Sequence, residues 1–289
     1  DVERSRGLGD VYKRQVLGLK YHIPTQVITQ RTWEQRINQT QDPCMIAWNF
    51  SVALYYKATG LPWKLVDIRP GTCYVGISFY TEPTRGNGIV NASVAQIFLH
   101  TGESYILRGE PFAWDRNRGR TPFLDENHAY KLMKKILNEH KAHMGTNPKR
   151  IVLHKTSNFR LSEINGFMKA AKSIAQKDFI TIIDTDIRFY SDEDYPVVRG
   201  TAISFNDNQH LLYTTGYIPA LSTYNGSQVP APKLVKIFHL DSNIELILKE
   251  ILAFTKLDWN NTEFCSSLPL TIKVSKNVGN ILAERRSMD

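Results

Sequence analysis

From Thr72 to Tyr80 the chain is apolar, β-branched or aromatic at almost every position (Thr72-Cys73-Tyr74-Val75-Gly76-Ile77-Ser78-Phe79-Tyr80). Turn-forming residues stand before it (Arg69-Pro70-Gly71) and after it (Glu82-Pro83). A short run of this kind predicts a strand buried on both faces, at the centre of a sheet covered by helices. Ser78 breaks the run. A small polar residue late in such a strand points into a site or at a neighbouring backbone group, or is a satisfied hydroxyl in the core.

The flanking patterns extend this picture. Asp42-Pro43 predicts a helix start, with Asp as N-cap and Pro in the first turn. Ile46, Phe50, Ala53, Leu54 and Lys57 fall on one helical face, and Gly60 with Pro62 marks a stop. Two strand-like segments, 89–99 and 103–107, are separated by His100-Thr101-Gly102, short enough for a hairpin. Residues 108–122 read as a loop carrying Trp114. Asp125 caps an amphipathic helix whose stripe is Ala129, Leu132, Met133, Ile136 and Leu137. Ile151-Val152-Leu153 is the next strand. A second helix presents Ile164, Phe167, Met168, Ala171 and Ala175, and 179–183 is again strand-like.

In the last third, 197–205, 210–217 and 233–239 read as strands. Ser242-Asn243-Ile244-Glu245 reads as a capping box opening a helix with Ile244, Ile247, Leu248, Ile251 and Leu252. Ser275 is placed as the cap of a final helix bearing Val278, Ile281 and Leu282. The early order of strand, strand, strand, helix, strand, helix, strand predicts an α/β fold with a mixed sheet, antiparallel part first.

Composition narrows the function classes. The 289 residues are 42% hydrophobic, with mean hydropathy −0.32, as expected of a soluble globular chain. No apolar run approaches a membrane span, and no signal-like segment is present. Cys44, Cys73 and Cys265 form no CxxC pair, which suits a reducing cytoplasm and argues against a disulfide framework or zinc site. The net charge of +8 favours a polyanionic partner. Between positions 131 and 155, seven cations (Lys131, Lys134, Lys135, Lys141, Lys149, Arg150, Lys155) face Glu139 alone, a surplus of +6. Residues 1–15 carry neither helical nor strand period and read as a leader outside the fold. The abrupt start at Val16 suggests a piece of a longer protein.

The element order is also that of the ribonuclease H fold. There, a carboxylate late in the first strand and another at the end of the fourth hold two metal ions. Here the first position is Ser78. The fourth strand runs into Leu153-His154-Lys155-Thr156-Ser157-Asn158-Phe159, with no carboxylate until Glu163.

Five pieces carry a resemblance to the Piwi domain of Argonaute proteins, most of all the prokaryotic short or inactive type. They are Ile23-Pro24-Thr25-Gln26-Val27-Ile28, the helix Ala53–Trp63 with Lys57, Tyr74–Ser78, Val152–Ser157, and Leu268-Pro269-Leu270-Thr271-Ile272 with the helix after it. The resemblance divides the chain into the end of a Mid domain at 16–40 and a Piwi domain at 41–289. It implies guide-directed binding of nucleic acid, guide RNA or DNA with its complementary target strand, in the cytoplasm. It also implies that Gln26 and Lys57 grip the guide 5′ phosphate, where Mg²⁺ is the one cofactor to expect. An amide donor and an ammonium suit a phosphate. Most of the Mid domain, and part of that pocket, is missing.

Where family members that cut have Asp, this chain has Ser78 and Thr156, and the final ligand position falls near Lys276. Hydroxyls and an ammonium cannot hold two Mg²⁺ ions. The expectation is therefore a Piwi module without slicing activity, acting with an effector or adaptor protein in prokaryotic defence. Lys131, Lys134, Lys155 and Arg160, with Lys135, are expected beside the guide–target duplex, touching phosphates.

Three other arrangements compete. Glu110 lies in the loop region from which the family draws a further Glu, but alone it reads rather as a surface carboxylate. Asp184-Thr185-Asp186, with Asp192, Glu193 and Asp194, is a turn that could take a metal; Asp184, Asp186 and Glu163 would then serve a displaced nuclease site. His128, His140, His143 and His154 show no metal-binding spacing and read as surface or capping residues. A protein-interaction domain that no longer binds nucleic acid is the remaining alternative.

Overall fold

A computed structural model describes residues 18, 21, 23–28, 30–34, 42–66, 68–82, 90–99, 102–113, 121–189, 196–224, 226, 228–259 and 263–285. The leader at 1–15, Trp114, and Asp192, Glu193 and Asp194 lie outside these residues.

A helical turn at Gln30–Trp33 precedes α1 (Pro43–Lys57). Then follow β1 (Thr72–Glu82), β2 (Val90–Phe98), β3 (Ser104–Arg108), β4 (Phe112–Ala113), α2 (Glu126–Met144), β5 (Arg150–Lys155), α3 (Leu161–Ala170) and β6 (Gln176–Asp184). The chain continues with β7 (Ala202–Asn206), β8 (Gln209–Leu212), β9 (Lys233–Leu240), α4 (Ile244–Phe254) and α5 (Leu270–Arg285). The strands form one mixed sheet in the order β3-β2-β1-β5-β6-β9-β8-β7, with β4 paired to β2. β1, β5 and β6 are parallel neighbours; the other pairs are antiparallel.

Strand alternation divides the core into two layers. Cys73, Val75 and Ile77 of β1, with Ile151 and Leu153 of β5, meet the apolar stripe of α2 and Phe167 of α3. On the opposite face Tyr74 and Val152 meet Ile247, Ile251 and Phe254 of α4 and Ile272 of α5. β1 is thus covered on both faces, as its composition requires.

One buried polar network on the α4 side of the sheet ties β1, β5 and β6 to that helix. Arg150 gives Nε to Asp178 (2.8 Å) and both Nη groups to Glu250 (2.5 and 2.9 Å). The Tyr74 hydroxyl donates to Glu250 (2.6 Å). Asp178 also accepts from the backbone of Asp241 and Ser242 (3.0 Å each). Each buried charge therefore has an opposite charge and further hydrogen bonds, the condition for burying it at all.

Several elements differ from the sequence expectation. The final helix begins at Leu270, so Ser275 lies inside it, with its hydroxyl donating to the Ile272 carbonyl (3.0 Å). α4 is capped by Asn243, whose side chain accepts from the Leu246 amide (2.8 Å), not by Ser242. The strand expected at 197–205 is confined to β7, and that at 210–217 to β8. Gly216 departs from strand geometry at φ +151, seated against the Val197 carbonyl. The 108–122 loop contains β4. In α1 the expected face is not buried: Phe50 and Leu54 are exposed and only Val52 is buried; apolar residues lie on every side of this helix, so their period did not single out the covered one.

Candidate nucleic-acid interface

The parallel register of β1 and β5 pairs Ile77 with Lys155. β5 ends there, and Thr156 follows it in a bend. Side chains alternate across a strand, so Ser78 lies with Tyr74 on the face away from α2 and α3. That face is covered by α5. Ser78 is buried, and its hydroxyl donates to the Ser275 carbonyl (2.7 Å). α5 sits directly on the β1 backbone: a Cβ built on Gly76 would fall 1.9 Å from the Thr271 carbonyl oxygen, and one on Gly279 would meet Tyr80 at 3.4 Å and Ser78 Oγ at 3.8 Å. Only glycine fits at Gly76. The hydroxyl of Thr271 lies 2.9 Å from His154 Nδ1. Thr156 is partly exposed, and Lys276 on α5 is exposed. Ser78 and α5 thus meet at one place.

A ribonuclease H-like fold implies a pair of divalent cations at this place. The donor set here does not fit them. The Ser78 hydrogen is engaged by a carbonyl, Thr156 is neutral and Lys276 is a cation, whereas Mg²⁺ needs anionic oxygens. Among the described residues no group of three or more His, Cys, Asp or Glu is placed to hold a metal ion.

Three of the other carboxylates weighed from the sequence are engaged separately. Glu110 pairs with Lys131 (2.8 Å), which holds its carboxyl below the usual range. Asp184 pairs with Lys233. Glu163 is fully buried at the start of α3. It accepts from Lys155 with both oxygens (2.6 and 2.7 Å), and from the amides of Leu124 (3.1 Å) and Arg160 (2.9 Å).

That contact corrects one expectation. Lys155 is 1% exposed and faces away from Thr156, into the α3 side. Its ammonium lies between the rings of Phe79 and Phe159, 5.1 Å from each centroid. Burial pulls its pKa down while Glu163 opposes the shift. A lysine so enclosed is out of reach of a phosphate on the surface. Arg160, by contrast, is exposed, its guanidinium 5.3 Å from the Phe123 ring. Lys131 and Lys134 lie on the solvent side of α2, Lys131 held by Glu110 and Lys134 over Tyr130.

Gln26 and Lys57 come together. They are far apart in sequence, yet the Lys57 ammonium donates to the Gln26 side-chain oxygen. Gln26 is exposed, and Lys57 closes the last turn of α1. Partial burial lowers the Lys57 pKa. The pair presents an amide nitrogen and an ammonium at one spot, the donors a phosphate takes.

The histidines divide. His128 pairs with the cap residue Asp125 (2.8 Å), and His143 with Glu139 (3.0 Å) while stacked on Tyr105. His154 is not a surface residue. It is fully buried, and burial pushes its pKa down to about 3. Sequence reasoning also missed the part of Thr271 and Ser275; the small residues Gly76 and Gly279 were the available signal of a close helix approach.

No protein-family model matches the chain, and no curated protein matches it. Solved structures do. Clostridium butyricum Argonaute bound to a guide DNA and a 19-mer target DNA superposes with a TM-score of 0.71 at 19% identity, over 92% of this chain and 34% of that one. A. aeolicus Argonaute gives 0.64 at 21% identity, over 96% and 37%. Marinitoga piezophila Argonaute in complex with a 5′ OH guide RNA gives 0.59 at 14% identity, over 81% and 34%. The chain spans about a third of the length of the structures it matches.

Proposed function

We propose that this chain, which has the ribonuclease H-like fold of an Argonaute Piwi domain, binds a guide strand and its complementary target without cutting the target. The meeting of Gln26 with Lys57 is the observation that carries the reading. The two residues that the Piwi resemblance assigns to the guide 5′ phosphate are adjacent in space and present complementary donors. Lys131, Lys134 and Arg160 are accessible to the phosphates of the paired strands and would supply affinity independent of sequence. Base pairing with the guide would supply the specificity. Any Mg²⁺ at the 5′ phosphate would be held by the phosphate oxygens, since the Gln26 amide oxygen already accepts from Lys57.

The test is affinity for a 5′-phosphorylated and a 5′-hydroxyl oligonucleotide at several salt concentrations. The phosphorylated strand is expected to bind more tightly. Lys57→Ala should remove that preference at a cost of about 1.5–3 kcal/mol, the worth of a hydrogen bond to a charged group, or roughly ten- to a hundredfold in Kd. Equal affinity for the two strands in the unaltered protein would defeat the phosphate grip. Absence of any salt-dependent affinity would favour a protein-interaction domain instead. Absence of cleavage rests on Ser78, Thr156 and Lys276. A cut in a guide-matched target that needs Mg²⁺ or Mn²⁺ and stops with EDTA would overturn it. On this reading a defence response against foreign DNA would come from an effector partner, to be sought by co-purification from the native cell. No described helix is long and apolar enough to cross a membrane.

A further inference from the structure

The helix that carries Lys57 has little to hold it in place. Of the 15 residues of α1 only Val52 is buried. Two indole rings from outside the helix rest on it. The Trp63 ring lies 6.4 Å from that of Trp48, and the Trp259 ring 5.0 Å from that of Tyr56; the two indoles meet edge-on at 6.3 Å. Both are fixed from the α4 and α5 side. Trp63 donates Nε1 to the Lys256 carbonyl (2.9 Å) and packs against the core layer of those helices. Trp259 follows Asp258, which pairs with Lys273 of α5.

The turn beside these rings is strained. α1 closes with the Thr59 amide on the Tyr56 carbonyl (3.0 Å) and the Gly60 amide on the Tyr55 carbonyl (2.9 Å). In this closure the residue after the C-cap is left-handed, and it is usually glycine. Here it is Thr59, at φ +69. A β-branched residue rarely takes that conformation, and it persists only where the surroundings over-determine it. The Tyr55 ring closes over Gly60, where an added Cβ would fall 2.6 Å from it. Lys57 stands between Tyr56, held against Trp259, and the strained Thr59.

We infer that Trp63 and Trp259 are positioning residues for the phosphate grip: they hold the Thr59 turn in its left-handed form, and that turn keeps the Lys57 ammonium on Gln26. The role presupposes the phosphate reading proposed above and gives the grip its mechanical cause. For a residue with a Cβ the left-handed conformation is disfavoured about tenfold. Without the indole contacts, roughly one molecule in ten would keep the competent turn, and apparent affinity for the phosphate would fall by that factor.

The experiment reads the ratio of affinities for one oligonucleotide with a 5′ phosphate and with a 5′ hydroxyl, which a general loss of binding does not move. Trp259→Ala should lower the ratio about tenfold, and Trp259→Phe, which keeps a ring on Tyr56, should retain most of it. Thr59→Gly added to Trp259→Ala should restore the ratio to within about twofold, because glycine takes the left-handed turn without support. Amide hydrogen exchange of the protein without oligonucleotide supplies a second readout. In Trp259→Ala the amides of 53–60 should exchange about tenfold faster while those of α2 are unchanged. If the unaltered protein does not distinguish the two strands, the phosphate reading fails, and the positioning role with it. If it does, but Trp259→Ala leaves the ratio or the exchange of 53–60 intact, or Thr59→Gly restores nothing, the positioning role alone is refuted.

Discussion

His154 should set a limit on stability in mild acid. Its ring is enclosed between α4 and α5, with Nδ1 on the Thr271 hydroxyl, Nε2 buried without a hydrogen-bond partner among the described residues, and Phe254 edge-on at 6.5 Å. Protonation would bury a cation there. Desolvation opposes it most, the Arg150 guanidinium opposes it further, and the Asp178 carboxylate compensates only in part, so the pKa falls from 6.5 to about 3. The depressed value fixes the sign. Above pH 6.5 His154 is neutral in the folded and unfolded states, and its contribution is fully present. Between pH 6.5 and about 3 only the unfolded chain takes the proton, so stability falls with falling pH. Each unit is worth about 1.4 kcal/mol, so two units of acidification cost about 2.7 kcal/mol. Urea unfolding of the unaltered protein and of His154→Gln, followed from about pH 7.5 to 4.5, isolates this residue, because the Arg150, Asp178 and Glu250 network remains in both. The difference between the two free energies should shrink on acidification by about that amount. Parallel profiles would show that the ring is protonated in the folded protein, or is not enclosed, and would refute the reasoning.

Glu163→Gln should cost about 3–5 kcal/mol, because it leaves the Lys155 ammonium buried without its counter-charge. Adding Lys155→Met should recover part of that in urea unfolding; a single-variant loss under about 1 kcal/mol would contradict the enclosed pair. Gly76→Ala should cost about 3 kcal/mol or prevent folding, since the new methyl would sit 1.9 Å from a backbone oxygen of α5. Gly145→Ala, with nothing within 4 Å but φ at +73, should cost only about 1 kcal/mol; thermal melts that rank the two in reverse order would deny the close seating of α5.

The parts legible in the sequence are those where one physical signal dominates. Burial on both faces made β1 readable, and the clean stripe of α2, with Asp125 capping and Gly145 closing it in the left-handed conformation, fixed that helix. The pairing of β1 with β5 followed from the ribonuclease H-like element order, and the parallel register sets Ile77 beside Lys155 near both C-terminal ends. What escaped was set by tertiary context. Leu270 to Val274 carry no capping pattern, so the start of α5 was displaced to Ser275, although helix packing on Gly76 begins at Thr271. Lys155 read as a surface cation because nothing local announces that Glu163, eight residues on, closes over it inside the core. In α1 the apolar residues surround the helix, and period alone cannot say which side is covered.

Charge shows most clearly why composition overstates the interface. Of the seven cations between 131 and 155, Arg150 and Lys155 are consumed by buried partners and Lys131 is matched by Glu110. Lys134, Lys135, Lys141 and Lys149 remain exposed. The buried pairs do something the surface lysines cannot. Arg150 joins β5 to β6 and α4, and Lys155 joins β5 to α3, so β5 is clamped on both faces, from its first residue to its last. A phosphate contact is worth its full charge-assisted energy only if its donors are held in place before the ligand arrives. On the proposed function, the basic residues buried in the core would serve nucleic-acid binding indirectly, by fixing the strand and helix beside the exposed Arg160.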